Sequence, residues 1–465
     1  PAHRFDTAEE AVACMAHMGS RLTVPRKIAV IGAGWAGCAA AAELVARGMG
    51  VILLEASDEL GGRARRLSLE LAGHRHVLDN GQHLLLGAYT ETAALLQQLN
   101  VALDTVVERR PFELRYPDGF RLQAARLPAP LHLAAALIAA RGLAVEDRAA
   151  LIKLLRTLRK CRWNIGTDRS IAQWLSESGQ TPQIVRRVWR PLALASLNTP
   201  LERASAQIFV NVLRDSLGAT GLASEMWLPR ANLSALFPDA VERCVVGHGG
   251  EVRRDARVDR IERSGHDRFL LLLRNELERV EVDAVIYAAA PAHMKQILGR
   301  SNELGSTYEA LTRFEHEPIY TVYLKYAPEV CIARGFIALL DDASKRRYAQ
   351  WVFDRGALDA SNRGVLAAVI SSSGPHEAES LEDVCQAVAQ QLTEDLRLPA
   401  PVDARAIADR RATLAAVPHL HRPSNRTPLS GFVIAGDWTE SGYPSTLETA
   451  VRSGRAAARS LLNDR

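Results

Sequence analysis

The sequence predicts an α/β protein in which two domains are interleaved along the chain. An apolar strand, a glycine-rich turn and an alanine-rich helix follow one another over residues 27–45. A second apolar strand, turn and helix lie near the other end, over residues 432–457. Strand-like and helical stretches with other patterns separate the two units, so we expect the domain that contains both chain ends to be discontinuous.

The first unit has the residues of a dinucleotide site. Gly32 follows the predicted strand Lys27–Ile31 and permits a tight turn, and Gly34 lets the backbone approach a pyrophosphate. Gly37 lets the helix pack closely on the strand. Glu55 ends the next strand at the spacing of a carboxylate that accepts hydrogen bonds from an adenosine ribose. These features together predict a Rossmann-like unit with phosphates at the helix N-terminus.

The turn after Glu55 indicates which dinucleotide is bound. Gly61-Gly62-Arg63 resembles the turn that closes over the FAD pyrophosphate in flavoproteins of the amine oxidase and phytoene desaturase superfamily. The second unit, with Gly436-Asp437 and a helix opening at Thr446-Leu447, resembles the second flavin motif of that superfamily. By this resemblance Asp437 contacts a ribityl hydroxyl, and the helix dipole lies at the flavin N1/O2 edge. FAD is therefore favoured over NAD.

A third signature narrows the resemblance to one family. The block Leu78–Tyr89 is similar to the corresponding block of hydroxysqualene dehydroxylases, also called squalene-associated FAD-dependent desaturases. The segments Leu127–Leu133 and Gly436–Thr439 agree with it. The resemblance implies that reduced flavin donates hydride to a long isoprenoid, converting hydroxysqualene to squalene on the route to hopanoids.

The resemblance also implies the fold and the cofactor contacts. We expect a glutathione-reductase-type FAD-binding domain of residues 27–89, 225–291 and 416–465, preceded by an N-terminal extension of residues 1–26. Residues 90–224 and 292–415 would form an α+β substrate domain with a mixed sheet and a helical subdomain. The predicted FAD-binding residues are Gly32, Gly34, Ala36, Gly37, Glu55, Ala56, Gly62, Arg63, Gly81, Gln82, His83, Val258, Gly436, Asp437, Thr446 and Leu447. No cysteine lies between residues 431 and 454, where some amine oxidases attach flavin, so noncovalent FAD is expected.

The proposed chemistry needs an acid that protonates the leaving hydroxyl group. Asp79 and His83 are the catalytic candidates, because both lie in the family-specific block and a carboxyl group in an apolar channel stays protonated near neutral pH. Each also has a structural interpretation, with Asp79 capping a turn and His83 bonding to the backbone or flavin. Two further functions stay open: an isoprenoid desaturase or amine oxidase, and a flavin-binding lipid carrier without turnover.

Three sets of strand predictions concern the middle of the chain. Glu251–Arg253 and Arg257–Glu262 alternate as exposed antiparallel strands do. Asp283–Pro291 resembles the superfamily strand that returns to the dinucleotide site. Segments 319–325, 348–353 and 364–370 are predicted strands of a mixed or antiparallel sheet that covers the flavin.

Composition limits the partners. Lys and Arg exceed Asp and Glu by 57 to 53, which gives no support for nucleic-acid binding. The six cysteines have neither CxxC pairs nor metal-ligand spacing, which favours a reducing compartment and predicts no metal site. Only one complete GxGxxG fingerprint is present, so an external electron donor is expected.

The expected location is cytoplasmic, with contact to the inner face of the membrane as one interpretation of the middle of the chain. No run reaches the ~18 to 20 apolar residues of a bilayer span, and residues 1–26 do not have the pattern of a signal peptide. The apolar stretch Leu127–Ala140 predicts either a membrane-surface element or a buried helix with a solvated basic face. The basic residues that follow it are Arg141, Lys153, Arg156, Arg159, Lys160 and Arg162.

Overall fold

The computed structural model describes residues 26–125, 127, 131–265, 268–274, 277–298 and 304–463, with the backbone alone at 131–134. Apart from Arg26, the predicted N-terminal extension lies outside the described residues. Pro128 and Pro130 of the Leu127–Leu133 signature lie outside them as well.

The elements have the following bounds. The strands are β1 Lys27–Ile31, β2 Gly50–Leu54, β3 Arg66–Leu71, β4 His74–Asp79, β5 Leu85–Leu86, β6 Val107–Arg110, β7 Glu113–Arg115, β8 Arg121–Gln123, β9 Met226–Pro229, β10 Glu251–Arg253, β11 Val258–Ser264, β12 Arg268–Leu273, β13 Glu278–Val282, β14 Ala284–Tyr287, β15 His316–Lys325, β16 Phe336–Ala338, β17 Trp351–Asp354, β18 Val365–Ser371, β19 Asp403–Leu414 and β20 Phe432–Ile434. The helices are α1 Trp35–Val45, α2 Thr90–Gln98, α3 Leu103–Val106, α4 Leu131–Ala139, α5 Val145–Lys160, α6 Ile171–Glu177, α7 Pro182–Ile184, α8 Arg190–Leu197, α9 Ala206–Ser216, α10 Leu233–Leu236, α11 Pro238–Gly247, α12 Pro291–Leu298, α13 Gly305–Thr312, α14 Arg355–Leu358, α15 Leu381–Leu396 and α16 Leu447–Asn463. A π-helical turn, Val185–Trp189, joins α7 to α8.

A parallel sheet in the order β10-β2-β1-β14-β20 joins both ends of the chain. Its central strands are apolar on both faces because both faces are covered. Ile28 and Val30 of β1 pack in one core with α1, α11 and α16. Ala29 and Ile31 pack in a second core with the antiparallel sheet β11-β12-β13. The α/β class and the pairing of the N-terminal unit with the C-terminal unit are as the sequence predicts.

The prediction for Glu251–Arg253 was wrong. This segment is not an antiparallel partner of residues 257–262 but the parallel edge strand β10, in which Glu251 pairs with Ile52. The segment after it, β11, pairs with β12 instead. Exposed polar alternation is typical of any strand with one solvated face, and it carries no information on strand direction.

A second sheet, in the order β16-β17-β18-β15-β19, is antiparallel throughout. The prediction of a mixed sheet was therefore wrong, and the antiparallel alternative is the one present. Helix α15 covers one face through Val384 and Val388, which pack with the β15 residues Val322 and Leu324. The predicted strands at 319–325 and 364–370 are present as β15 and β18, whereas the one at 348–353 begins only at Trp351.

The helices of the middle of the chain pack around a core of their own with the other face of this sheet. Leu71 and Leu78 of the hairpin β3–β4 belong to that core, whereas Leu95 and Leu96 of α2 belong to the core of the parallel sheet. The chain thus crosses from the helical core to the core of the parallel sheet between Leu78 and Leu95. The predicted domain bounds, including the one at residue 89, stay a prediction. Within the described residues, no helix has both the length and the apolar character of a bilayer span.

Candidate functional site

The candidate site lies where four parallel strands end. Gly32 follows β1, Glu55 follows β2, Ala288 follows β14, and Gly436 comes shortly after β20. Because the carboxyl ends of parallel strands meet at one edge, these residues come from distant parts of the chain to the same edge of the sheet. This is the edge at which open α/β sheets bind ligands.

The first turn contains two glycines that the protein itself requires. Gly32 has φ +94°, and a Cβ there would lie 2.8 Å from the Ala289 nitrogen. A Cβ on Gly37 would lie 1.9 Å from the Gly32 carbonyl oxygen. Contacts this short with backbone atoms exclude a side chain at either position without movement of the backbone.

Gly34 is different, because no other part of the described protein requires a glycine there. Its φ of −66° and ψ of 177° are open to any residue. The nearest heavy atom to a Cβ would be the Gly62 Cα at 3.9 Å, an ordinary contact distance. The Gly61-Gly62 turn, which has positive φ at both residues, lies opposite. Gly34 thus lies at a helix N-terminus where a side chain would meet no closer part of the described protein, which fits the approach of a pyrophosphate to the backbone.

Glu55 fixes the second strand end to the glycine turn. Its Oε2 accepts a hydrogen bond from the Ala33 nitrogen at 2.8 Å, and its Oε1 accepts from the Ser57 nitrogen at 3.0 Å. Oε1 also accepts from the Ser57 hydroxyl at 3.1 Å, so Oε2 is the oxygen that retains capacity for another donor, which is compatible with a ribose hydroxyl. Val258 is buried at the start of β11, and Ala56 is exposed beside Glu55.

The predicted residues of the two chain ends meet directly. Arg63 Nη2 lies 2.6 Å from Asp437 Oδ1. Asn80 Nδ2 donates to the Arg63 carbonyl at 3.1 Å, so the family-specific block contacts the same turn. Thr446 precedes α16 and accepts from the Thr449 nitrogen at 3.2 Å, and Leu447 is the first residue of the helix.

Three other predicted residues have positions that packing explains in part. Ala36 is buried in the first turn of α1. A Cβ on Gly436 would lie 2.2 Å from Trp438 Nε1, so the indole occupies the space that a side chain would need. Gly81 has φ +102°, which a side chain would strain.

Arg422 contacts the loop after Asp437, although its sequence position does not predict this. Its side chain is buried, and Nη1 donates to the carbonyl oxygens of Tyr443 at 2.9 Å and Asp437 at 3.4 Å. Nη2 is buried without a hydrogen-bond partner in the described protein. Burial lowers the pKa of Arg422, and the Asp437 carboxylate opposes this effect. Arg422 therefore places a positive charge behind the loop that leads from Asp437 to α16.

Asp79 is buried, with structural contacts on both its side chain and its backbone. Oδ1 accepts from the Leu233 nitrogen at 2.7 Å, and the Tyr323 hydroxyl donates to the Asp79 carbonyl at 2.8 Å. Burial raises the pKa of Asp79 to about 6, against the opposing effects of the Arg355 charge and the Leu233 hydrogen bond. A fraction of the carboxyl group is thus protonated near neutral pH. Arg355, also buried, was not singled out from the sequence.

His83 is suited to accept a hydrogen bond rather than to donate a proton. Its Nδ1 lies 2.9 Å from the Gly81 carbonyl oxygen, so the tautomer assigned from this contact carries its proton on Nδ1. Burial lowers the pKa of the ring, which favours the neutral form with an unprotonated Nε2. Arg355 Nη1 donates to Gln82 Oε1 at 3.3 Å, which links the buried arginine to this loop. The catalytic roles of Asp79 and His83 stay predictions.

Two observations concern the rest of the described protein. Among the described residues, no group of three or more His, Cys, Asp or Glu side chains is placed to hold a metal ion. A cavity of about 40 Å³ in the helical region is lined only by apolar side chains, among them Phe112, Leu137, Leu151 and Trp189. That volume holds little more than a water molecule or two.

Comparisons with known proteins agree with the geometry. Residues 35–462 match the sequence profile of flavin-containing amine oxidoreductases. The hydroxysqualene dehydroxylase of Rhodopseudomonas palustris is 28% identical over 448 residues, which cover 93% of this chain and 97% of that protein. The zeta-carotene desaturase of Zea mays is 22% identical, with 92% of this chain and 82% of that protein covered.

Solved structures show the same fold. An oxidoreductase from Methanosarcina mazei superposes with a TM-score of 0.73 at 16% identity, and the alignment covers 93% of this chain and 100% of that chain. A putrescine oxidase variant superposes with a TM-score of 0.68 at 18% identity, covering 95% of this chain and 99% of that one.

Proposed function

Because the chain belongs to the flavin-containing amine oxidoreductase family, and is by that membership an FAD-dependent oxidoreductase, we propose that it reductively dehydroxylates hydroxysqualene to squalene. The observation that carries this proposal is similarity to three hydroxysqualene dehydroxylases at 24–28% identity over 92–95% of the chain. The block at 78–89 supports it, because Asp79, Asn80 and His83 all contact the candidate site or its neighbouring elements.

The residues at the strand ends fit FAD. The backbone at Gly34, at the N-terminus of α1, would take the pyrophosphate, and Glu55 the adenosine ribose. Arg63 and Asp437 would contact the pyrophosphate and ribityl chain, and the N-terminus of α16 would stabilise negative charge on the ring. Bound FAD supplies hydride transfer between its ring and a carbon of the substrate.

The protein must supply a proton to the leaving hydroxyl group, and Asp79 is the better candidate. Its pKa of about 6 leaves roughly a tenth of the carboxyl protonated at neutral pH. In the proposed reaction the Asp79 proton moves to the hydroxyl oxygen of hydroxysqualene, the C–O bond breaks with loss of water, and the carbon left cationic would receive the hydride that reduced FAD supplies when bound. His83, with Nε2 unprotonated, would orient a hydroxyl group by accepting its hydrogen bond.

The proposal includes two partners. Electrons would come from an external donor, since only one dinucleotide fingerprint is present. The second partner is a membrane surface. Helix α4 exposes Ile138. Helix α5 buries leucines on one side and exposes basic side chains on the other, namely Lys153, Arg156 and Arg159. This arrangement favours a peripheral position at the cytoplasmic face of an anionic membrane.

An anaerobic single turnover tests the reaction. Photoreduced holoprotein is mixed with hydroxysqualene while flavin absorbance is followed, and the product is identified by mass. We expect flavin reoxidation with loss of the substrate oxygen and formation of squalene. Reduced flavin that persists after confirmed substrate binding would overturn the proposal, and loss of two hydrogens from a substrate given to oxidised protein would favour a desaturase.

A further inference from the structure

Arginine side chains from three parts of the chain gather around one buried carboxylate outside the parallel sheet. The Glu113 side chain on β7 is 3% exposed. Its Oε1 lies 3.1 Å from Arg121 Nε on β8, and its Oε2 lies 3.1 Å from Arg334 Nε. Arg110 at the end of β6 donates to the Arg334 carbonyl and pairs with Glu108.

Arg115 adds a further positive charge without a carboxylate of its own. Its Nη2 donates to the carbonyl oxygens of Ala333 and Phe336, and its Nε is buried without a hydrogen-bond partner in the described protein. No ion pair joins it to a carboxylate within the described part of the chain. Burial lowers the pKa of Arg115, and nearby arginines lower it further against the effect of Glu113.

Together, Arg110, Arg115, Arg121 and Arg334 form a surface that we call the arginine cluster. These four guanidinium groups share two carboxylates, Glu108 and Glu113, so positive charge remains uncompensated. Clustered positive charge is costly unless an anion neutralises it. The side chains of Arg121 and Arg334 are 39% and 44% exposed, so an anion can reach them from solvent.

The guanidinium groups are also held in place before any anion binds. Arg334 has φ +64° in the turn Ala333–Gly335, and carbonyls of that turn accept hydrogen bonds from Arg110 and Arg115. A fixed planar guanidinium presents paired N–H donors that match phosphate oxygens. Positioning the donors in advance reduces the entropy lost on binding.

We propose that the arginine cluster is a binding site for a phosphate group. The chemistry is common to an anionic phospholipid headgroup and to a soluble phosphate. Arg121 exchanges backbone hydrogen bonds with Arg141, which places the cluster beside the segment joining α4 to α5. Ile138 near the end of α4 and Val145 at the start of α5 lie on either side of this segment and are 78% and 75% exposed. Exposed apolar residues beside a phosphate site favour the lipid source. The site does not depend on the proposed reaction.

The test uses FAD-loaded full-length protein. Sedimentation with phosphatidylglycerol vesicles, and with phosphatidylcholine vesicles as the neutral reference, measures the lipid source. Calorimetric titration with inorganic pyrophosphate measures the soluble source. The variant is R115Q/R334Q, and the charge-matched control is R279Q/K295Q, which alters exposed residues elsewhere. Two single variants are measured in case the double variant does not fold. R115Q leaves both Glu113 ion pairs intact, and R115K also keeps the charge.

We expect each cluster arginine replaced by glutamine to weaken binding to phosphatidylglycerol vesicles about fivefold, while the control binds as the wild type does. R115K keeps the charge but loses the paired guanidinium donors, so its affinity should lie between those of the wild type and R115Q. Loss of pyrophosphate binding without a change in vesicle binding would support the site with a soluble phosphate as its source. Unchanged binding of both probes by R115Q/R334Q would overturn the proposal. Loss of vesicle binding only in R156Q/R159Q on α5, with pyrophosphate binding intact in every variant, would also overturn it. Flavin turnover is read separately, so failure of the proposed reaction leaves these outcomes unaffected.

Discussion

The contrast between Gly34 and Gly37 gives a direct test of the cofactor site. We expect Gly34→Ala to weaken FAD binding with little change in the stability of the cofactor-free protein, because the added Cβ meets no protein atom closer than 3.9 Å. The entropic gain of alanine, about 0.4–1 kcal/mol, is offset by its poorer performance at a helix N-cap. If the methyl group occupies the place of the pyrophosphate, overpacking of about 1–3 kcal/mol weakens FAD binding roughly 5- to 150-fold.

Gly37→Ala is the matched control, since it adds the same methyl group one helical turn away. Its Cβ would lie 1.9 Å from the Gly32 carbonyl oxygen, so the turn and α1 must separate by more than an ångström to reach ordinary contact. We expect this variant to lose about 1–3 kcal/mol or more of stability with or without FAD.

The assay has two parts for each variant. Urea unfolding of deflavinated protein gives the free energy of unfolding, and fluorescence titration with FAD gives the dissociation constant. Normal FAD affinity in Gly34→Ala would refute the placement of the pyrophosphate beside Gly34. A cofactor-free Gly34→Ala protein as unstable as Gly37→Ala would show that the space beside Gly34 serves packing alone.

Three further outcomes are expected. Asp79→Asn should flatten the pH dependence of stability by up to about 3 kcal/mol. The folded pKa of about 6 exceeds the unfolded value of 3.8, so this contribution is full below pH 3.8 and lost as pH rises through 6, which urea unfolding from pH 3.5 to 7 measures. Arg422→Gln should lower both FAD affinity and the flavin reduction potential, whereas Arg422→Lys should restore the potential, read by spectroelectrochemistry. Gly454→Ala should lower the melting temperature, because its Cβ would lie 2.0 Å from the Ala36 carbonyl oxygen.

Local patterns predicted the parts of the fold that local physics determines. A glycine turn between an apolar strand and a helix is set by backbone sterics within a few residues, so Gly32 and Gly37 could be assigned from the sequence. Pairing of β14 with β1 agrees with the interpretation of residues 283–291 by resemblance. The direction of β10 could not be predicted, because the exposed pattern of Glu251–Arg253 is the same in either orientation.

Contacts between distant residues lay beyond the sequence. Arg422 is an arginine in a proline-containing loop, and only the fold brings it to the Asp437 and Tyr443 carbonyls. Nothing near Glu113 in the sequence indicates that Arg334 will reach it from the turn before β16. A charged side chain can be buried only where the tertiary structure supplies hydrogen-bond or ion-pair partners for it. The spacing of residues along the chain does not show which partners these are.

Asp79 shows how a structural contact and a catalytic role depend on the same burial. The Leu233 hydrogen bond stabilises the carboxylate and lowers the pKa, whereas loss of solvent raises it, and the second effect is larger. A more exposed Asp79 would be almost fully ionised at neutral pH and unable to protonate a hydroxyl group. A buried Asp79 without the Leu233 nitrogen and the Arg355 charge would have a higher pKa and would release its proton less readily. The proposed acid therefore requires both the Leu233 hydrogen bond and the Arg355 charge, in addition to its burial.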